Sequence, residues 1–440
     1  MDLHNWRAIA IAGVVALSAV LLAEPACAAD SADRVVLTGH VLDALARATP
    51  DTAAAVEKSD ATAPFAITIV MRRSDPAGFQ SYLRDVYDPQ SPGYLKFLSP
   101  AQISDRFGPS AEDAAAVRTY FEQQGLAVAL TPANRMTLVV SGPVANVESA
   151  LAVHIGHYRI GTQAFTANDR DPALPAAIAG RVEAVAGLSS LAVPRPQIVA
   201  AVINIVCNIR GFFASFGGGI WGMDAAFKKE YQRCITSAKN AFGAGILTTP
   251  DPPAPAWQGV DGTGQTIGIV AFDRYDPNDV VDFINLVGLP ASKINNVTRV
   301  AVDGGATPGA DASEVLLDIS LILPIATNAA IRVYDAPSGG GGSYQAVFNA
   351  MINDGVTIIS NSWAYCEDQT TLADVESIDS ILQTAAASGI SVLSASGDHG
   401  STCLDGSADV AHVPASSPHV TAVGGTSLML GPAFTYQSET

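Results

Sequence analysis

The sequence predicts an α/β protein: a doubly wound, largely parallel sheet preceded by a smaller α+β unit of ferredoxin-like pattern. Three observations carry this expectation. From Gly262 onward, apolar runs of strand length alternate with helix-length segments, as expected of parallel strands covered on both faces. Before about residue 195 the strands are shorter and fall with their helices into two β-α-β halves. Between these parts the composition shifts to Gly217-Gly218-Gly219 and to Pro250, Pro252, Pro253 and Pro255, which reads as a linker or processed segment.

Taken in order, residues 1–28 have the form of an export signal. Arg7 supplies the positive start, an apolar run follows from Ala8 to Ala23, and Ala26-Cys27-Ala28 is a small-x-small cleavage site. The run is too short for a good membrane span. The implied location is secreted, in the medium or a periplasm, with no membrane attachment after signal removal. Residues 29–195 supply strands at 65–71, 126–130, 136–140 and a closing strand at 155–160. Helices at 77–86, 110–124 and 144–153 lie between them. Residues 196–258 are the linker. Residues 259–440 supply strands at 266–272, 299–302, 330–334, 356–360, 390–394 and 419–423, with helices at 277–286, from Asp311, at 344–353 and at 372–387.

Composition narrows the partners. The chain is 48% hydrophobic and can bury a sizeable core. Its 42 acidic residues outnumber 24 Lys and Arg, and a net charge of -18 argues against nucleic acid or an anionic membrane. Removal of Cys27 with the signal leaves Cys207, Cys234, Cys366 and Cys403, an even number that suits two disulfides in an exported chain. Proximity favours Cys207–Cys234 and Cys366–Cys403 among the three connectivities. With no C-x-x-C or nearby His pair, zinc is a poor alternative and no metal ligands are assigned.

Chemistry concentrates in the segment Asp311-Ala-Ser-Glu314-Val-Leu-Leu-Asp318-Ile-Ser-Leu-Ile-Leu-Pro324. At helical spacing Glu314 and Asp318 stack on one face, roughly 5–6 Å apart at their β-carbons. The helix is apolar almost all round and so belongs in a core, where carboxylates rarely stand without a partner or a task. Asp311 and Glu314 also fit a capping box, which would give Glu314 a purely structural role. Asp398, in Ser396-Gly397-Asp398-His399-Gly400, follows a predicted strand and stands at the carboxyl edge, where ligands of such sheets bind. Gly339 to Gly342 lacks the Lys-Ser/Thr of a phosphate loop and better suits a peptide groove. Ser427, in Gly424-Gly425-Thr426-Ser427, is followed by Leu428-Met429-Leu430 rather than by a helix, and reads as a loop serine. His154 and His157 read as ordinary polar positions.

The ordered motifs resemble the sedolisin-type serine-carboxyl peptidases (the kumamolisin group) with their activation prodomain. On the prodomain side the likeness lies in Pro89-Gln-Ser-Pro-Gly-Tyr-Leu-Lys-Phe-Leu-Ser-Pro100 and Arg106-Phe-Gly-Pro-Ser-Ala-Glu-Asp113. On the catalytic side it lies in Gly262-Thr-Gly-Gln-Thr-Ile-Gly-Ile-Val270, Glu314-x-x-x-Asp318, Ile359-Ser-Asn-Ser-Trp363, Ser396-Gly-Asp398-x-Gly400 and Pro414-Ala-Ser-Ser-Pro-His-Val-Thr-Ala-Val-Gly-Gly-Thr426. The resemblance implies a subtilisin-like sheet and acyl-enzyme proteolysis of polypeptides in acid. Glu314 would be the general base that activates a serine, Asp318 its support and Asp398 the oxyanion-side acid. Ser362, Trp363 and the Gly339 loop would wall the substrate cleft, and the prodomain would be an intramolecular partner.

Two departures accompany the resemblance. Where the family's first catalytic-domain strand often ends in a glutamate supporting the base, this chain carries Ala271, with Asp273 nearby. The chain also reaches Thr440 before the family's nucleophile motif, G-T-S-x-x-x-P, and before its calcium site. The expectation is a C-terminally truncated chain with an incomplete sheet, exposed apolar surface, no nucleophile, no cofactor and no peptidase activity. The rival reading is a non-catalytic secreted protein that binds or inhibits a related peptidase. An Asp-His-Ser hydrolase fails for want of a placed histidine.

Overall fold

A computed structural model describes residues 33–51, 64–197, 260–338, 343–403, 406–430 and 436–440. The export signal, Cys207, Cys234, nearly all of the linker and the Gly339–Gly342 run lie outside the described residues.

The first unit is built on β1 (Pro64–Met71), whose inner half is fully buried. It pairs antiparallel with β3 (Thr137–Pro143), which in turn pairs with β2 (Ala127–Leu130). Helices α1 (Pro76–Tyr87), α2 (Pro100–Phe107), α3 (Ala111–Gln123) and α4 (Val144–Leu151) connect or flank these strands. Asp75, Ser99 and Ser110 each accept a main-chain N–H in the first turn of the helix they precede, and Ser99 with Gln102 completes a capping box.

The expected closing strand is replaced. Residues 155–160 form β4 (Ile155–Ile160), which leaves this sheet to pair with β5 (Gln163–Asn168) and with Thr49–Pro50. The position beside β1 is taken by β6 (Val182–Ala186), giving the ferredoxin-like order β2-β3-β1-β6. The physical reason is burial. Four of the five β6 residues are buried, whereas β4 buries only Ile155 and suits a half-covered hairpin.

The second unit is a six-stranded, all-parallel sheet. Its strands are β8 (Thr266–Ala271), β9 (Val297–Ala301), β10 (Ala330–Asp335), β11 (Ile358–Asn361), β13 (Ser391–Ala395) and β15 (Thr421–Val423), in the order β9-β10-β8-β11-β13-β15. The helices are α5 (Pro277–Val287), α6 (Ala312–Ile325), α7 (Ser343–Asn353) and α8 (Leu372–Ala387). Beside the sheet, β12 (Trp363–Cys366) pairs with β14 (His412–Val413), and Cys366 is disulfide-bonded to Cys403. Leu393 on β13 and Val423 on β15 are exposed.

The two units share a core. Phe79, Leu83, Val86, Ile103 and Phe107 of α1 and α2 pack with Ala386 and Ala387 of α8. Arg73, buried beneath α1, donates to the Ser380 carbonyl at 2.8 Å and the Thr384 hydroxyl at 2.7 Å on α8. Asn134 and Asn349 exchange amide hydrogen bonds, and Asn349 reaches Thr137.

Candidate active site

The carboxyl edge of the parallel sheet gathers the residues of interest from four loops, as the doubly wound topology requires. Asp273 follows β8, Glu314 and Asp318 lie on α6 after β9, Ser362 follows β11, and Asp398 follows β13. Glu314 occupies the first turn of α6 at 2% exposure, and Asp318 stands one turn later at 8%. Val315, Leu316, Ile319 and Leu323 surround them in the core, so an apolar helix carries both acids inward.

The capping box does not form. Asp311 makes no side-chain cap, and the Glu314 N–H is instead met at 3.0 Å by the Asp311 carbonyl. Glu314 cannot serve the cap because its carboxylate is turned into the site. There the hydroxyl of Ser362 donates to Asp318 Oδ1 at 2.8 Å. Among the described residues, Glu314 Oε2 and Asp318 Oδ2 are buried with no hydrogen-bond partner. Burial is the main cause that pushes Glu314 well above the usual carboxylate range, and the charges of Asp318, Asp398 and Asp311 add to it. Burial also raises Asp318, with the Ser362 hydroxyl pulling it back. Unpartnered carboxylate oxygens in a low-dielectric site favour the protonated form.

Asp398 is half-buried, and burial raises its pKa against the opposing pull of His399. Its Oδ2 also lacks a partner among the described residues. Gly397, at φ +106°, presses against the His412 ring, so a side chain there would displace the Asp398 loop. The indole of Trp363 is 1% exposed and packs edge-on to Phe272. Asn361 braces this turn by donating to the Trp363 carbonyl at 2.8 Å and the Ser394 hydroxyl at 3.0 Å.

The backbone edge at Ser362–Ala364 is occupied. The exit strand of the first unit, β7 (Arg195–Pro196), pairs antiparallel with β12, setting Arg195 opposite Ala364 and Pro196 opposite Trp363. Gln197 extends the contact by donating its N–H to the Ser362 carbonyl at 2.8 Å. Residue 196, expected in the linker, thus lies in this strand, and a two-residue strand has no periodicity to reveal it in the sequence. Ser427, exposed, is tied through its main chain to Thr440 in a terminal hairpin, as befits a loop serine. Among the described residues, no three His, Cys, Asp or Glu side chains group as metal ligands.

Residues 52–191 match the pro-kumamolisin activation domain, and residues 299–437 match the subtilase family. Kumamolisin of Bacillus sp. (strain MN-32) is 30% identical over 413 residues, which cover 90% of this chain and 67% of that protein. The chain belongs to the kumamolisin family. Xanthomonalisin of Xanthomonas sp. (strain T-22) is 24% identical, covering 85% of this chain and 47% of its own length. Tripeptidyl-peptidase 1 of Homo sapiens is 24% identical, covering 84% and 63%. The chain thus spans 47–67% of the length of these curated relatives. Pseudomonas sedolisin, a serine-carboxyl proteinase solved with two molecules of pseudo-iodotyrostatin, aligns with a TM-score of 0.37 and 24% identity over 46% of this chain and 56% of that one. Membership of the kumamolisin family makes the first unit an activation prodomain and the parallel sheet part of a peptidase domain.

Proposed function

We propose that the chain is the precursor of a secreted serine-carboxyl endopeptidase that works in acid, with Glu314 as general base, Asp318 as its support and Asp398 as the oxyanion-side acid. The observation that carries this reading is the buried Glu314–Asp318 pair, with Asp318 held by the Ser362 hydroxyl. A carboxylate accepts a hydroxyl proton usefully only when its pKa is raised and its position held. Asp318 supplies the hold, as an aspartate does for histidine in the familiar triad. The two carboxyls share protons as a coupled pair. Asp398 can stabilise an oxyanion only while protonated, which acid and its partly buried setting both favour. The exit strand over Ser362–Ala364 supports a prodomain that covers the polypeptide cleft in cis, and this favours a zymogen over a free-standing inhibitor.

We assign no serine of these 440 residues as nucleophile: Ser362 is engaged with Asp318, and Ser427 lies in the terminal hairpin. The test has two arms. Infrared spectra at pH 6 should contain a protonated-carboxyl band from the one proton the pair shares, altered by Glu314→Gln and by Asp318→Asn, with the other carboxyl ionised to accept the hydroxyl proton; full protonation or full ionisation of both acids at that pH would overturn the base assignment. Purified chain should release no product from a peptide between about pH 3 and 5, a window set by ordinary carboxylate pKa values. Turnover that Glu314→Gln abolishes would place a nucleophile within the chain.

A further inference from the structure

In this chain β8 ends in Ala271, and the nearest acidic side chain downstream of that strand is Asp273, 4% exposed. Asp273 does not partner the Glu314 carboxylate among the contacts described; it is saturated by main chain instead. Its Oδ1 accepts the N–H of Arg274 at 2.6 Å and of Gly309 at 2.7 Å, and its Oδ2 accepts the N–H of Asp311 at 2.6 Å. These three main-chain hydrogen bonds converge on one side chain. They clamp the end of β8 to the 309–311 segment that launches α6.

Two details show that the clamp reaches the site. A β-carbon at Gly309 would stand 2.8 Å from Asp273 Oδ2, so the backbone approaches more closely than any side chain would allow. Asp311, held by Asp273 through its N–H, in turn holds the Glu314 N–H through its carbonyl. Because α6 has no side-chain cap, its first turn is located by this relay.

Resting on the reading of Glu314 as base, we propose that Asp273 is the positioning residue of the site, fixing the first turn of α6 so that Glu314 stays enclosed against Asp318 and Ser362. The route is through main chain, and Ala271 therefore leaves the base supported. In Asp273→Asn the amide NH2 faces at least one of the three N–H groups, and that donor loses its acceptor.

The experiment follows Glu314 by NMR in the full chain labelled at glutamate side-chain carboxyl carbons, with Glu314→Gln to assign the signal. Loosening the first turn admits water, so Asp273→Asn should lower the Glu314 titration midpoint by about one unit, a tenfold change in proton affinity. Gly309→Ala, which crowds the same clamp while keeping the Asp273 side chain, should shift it in the same direction and covers the case in which Asp273→Asn does not fold. Val280→Ala, a core truncation on α5, should lower melting without moving the midpoint. An unchanged midpoint in a folded Asp273→Asn or Gly309→Ala chain would overturn the proposal. An ordinary glutamate midpoint in the unmodified chain would instead overturn the reading of Glu314.

Discussion

His40 offers the sharpest test of how the two units respond to acid. It is 2% exposed, and its Nε2 faces the Val185 N–H at 3.0 Å. A backbone N–H can only donate, so Nε2 is the acceptor and Nδ1 carries the proton, which it gives to the Leu37 carbonyl at 2.8 Å. The imidazole must therefore be neutral. Burial holds its pKa below 6.5, against the upward pull of the Leu37 and Thr38 carbonyls and the Asp171 and Asp374 carboxylates. In the unfolded chain the ring titrates near 6.5. The stabilisation is thus complete above about pH 6.5 and is lost as pH falls toward the lower, folded value. One proton gives a slope of at most about 1.4 kcal/mol per pH unit, or tenfold in an opening equilibrium. The loss falls at the joint, because the adjoining Gly39 carbonyl accepts the Ala373 N–H of α8 at 3.0 Å. Glu183, Glu314 and Asp318, raised by burial, act in the opposite direction and gain stability as pH falls, so a global melting curve would mix the two signs. Hydrogen exchange at the Val185 and Ala373 amides isolates the effect. Corrected for intrinsic rates, protection at both should fall between pH 7 and 5, while in His40→Gln, whose amide oxygen can still accept from Val185, it should stay flat. Equal pH dependence in the two proteins would refute the reasoning.

Two further outcomes follow from the packing. Arg73→Met should weaken docking of the prodomain on α8 by about 3 kcal/mol, since it removes the hydrogen bonds to the Ser380 carbonyl and Thr384 hydroxyl and leaves Glu183 without its buried cation; urea unfolding measures it. Replacing Cys366 and Cys403 by Ala opens a loop of 37 residues that contains α8, and loop-closure entropy puts the loss at about 4 kcal/mol. Calorimetry with and without reductant should show the unmodified chain falling to the variant's melting temperature.

Much of this arrangement is local and was legible in the chain. Buried parallel strands are apolar on both faces, so β8 announces itself as a continuous run. Helical geometry places Glu314 and Asp318 on one face wherever α6 sits. Asp398 follows a strand and so arrives at the same edge as the pair. The choice of β6 over β4 as closing strand was not legible, because both are short and only burial against the rest of the sheet separates them. Nor was the fate of Glu314 within the Asp311 capping pattern, since cap and buried pair use the same spacing.

By itself, then, the sequence determined the succession of elements, the paired acids and the resemblance that the family matches bear out, since each depends on residues a few positions apart. Tertiary structure alone decided what surrounds those acids: the Ser362 hydroxyl, 44 positions from the Asp318 it meets, the Asp273 clamp on the start of α6, and the prodomain strand paired along Trp363–Ala364. Those contacts join loops from different strand ends, and no periodicity in the chain records which loops a folded sheet brings together.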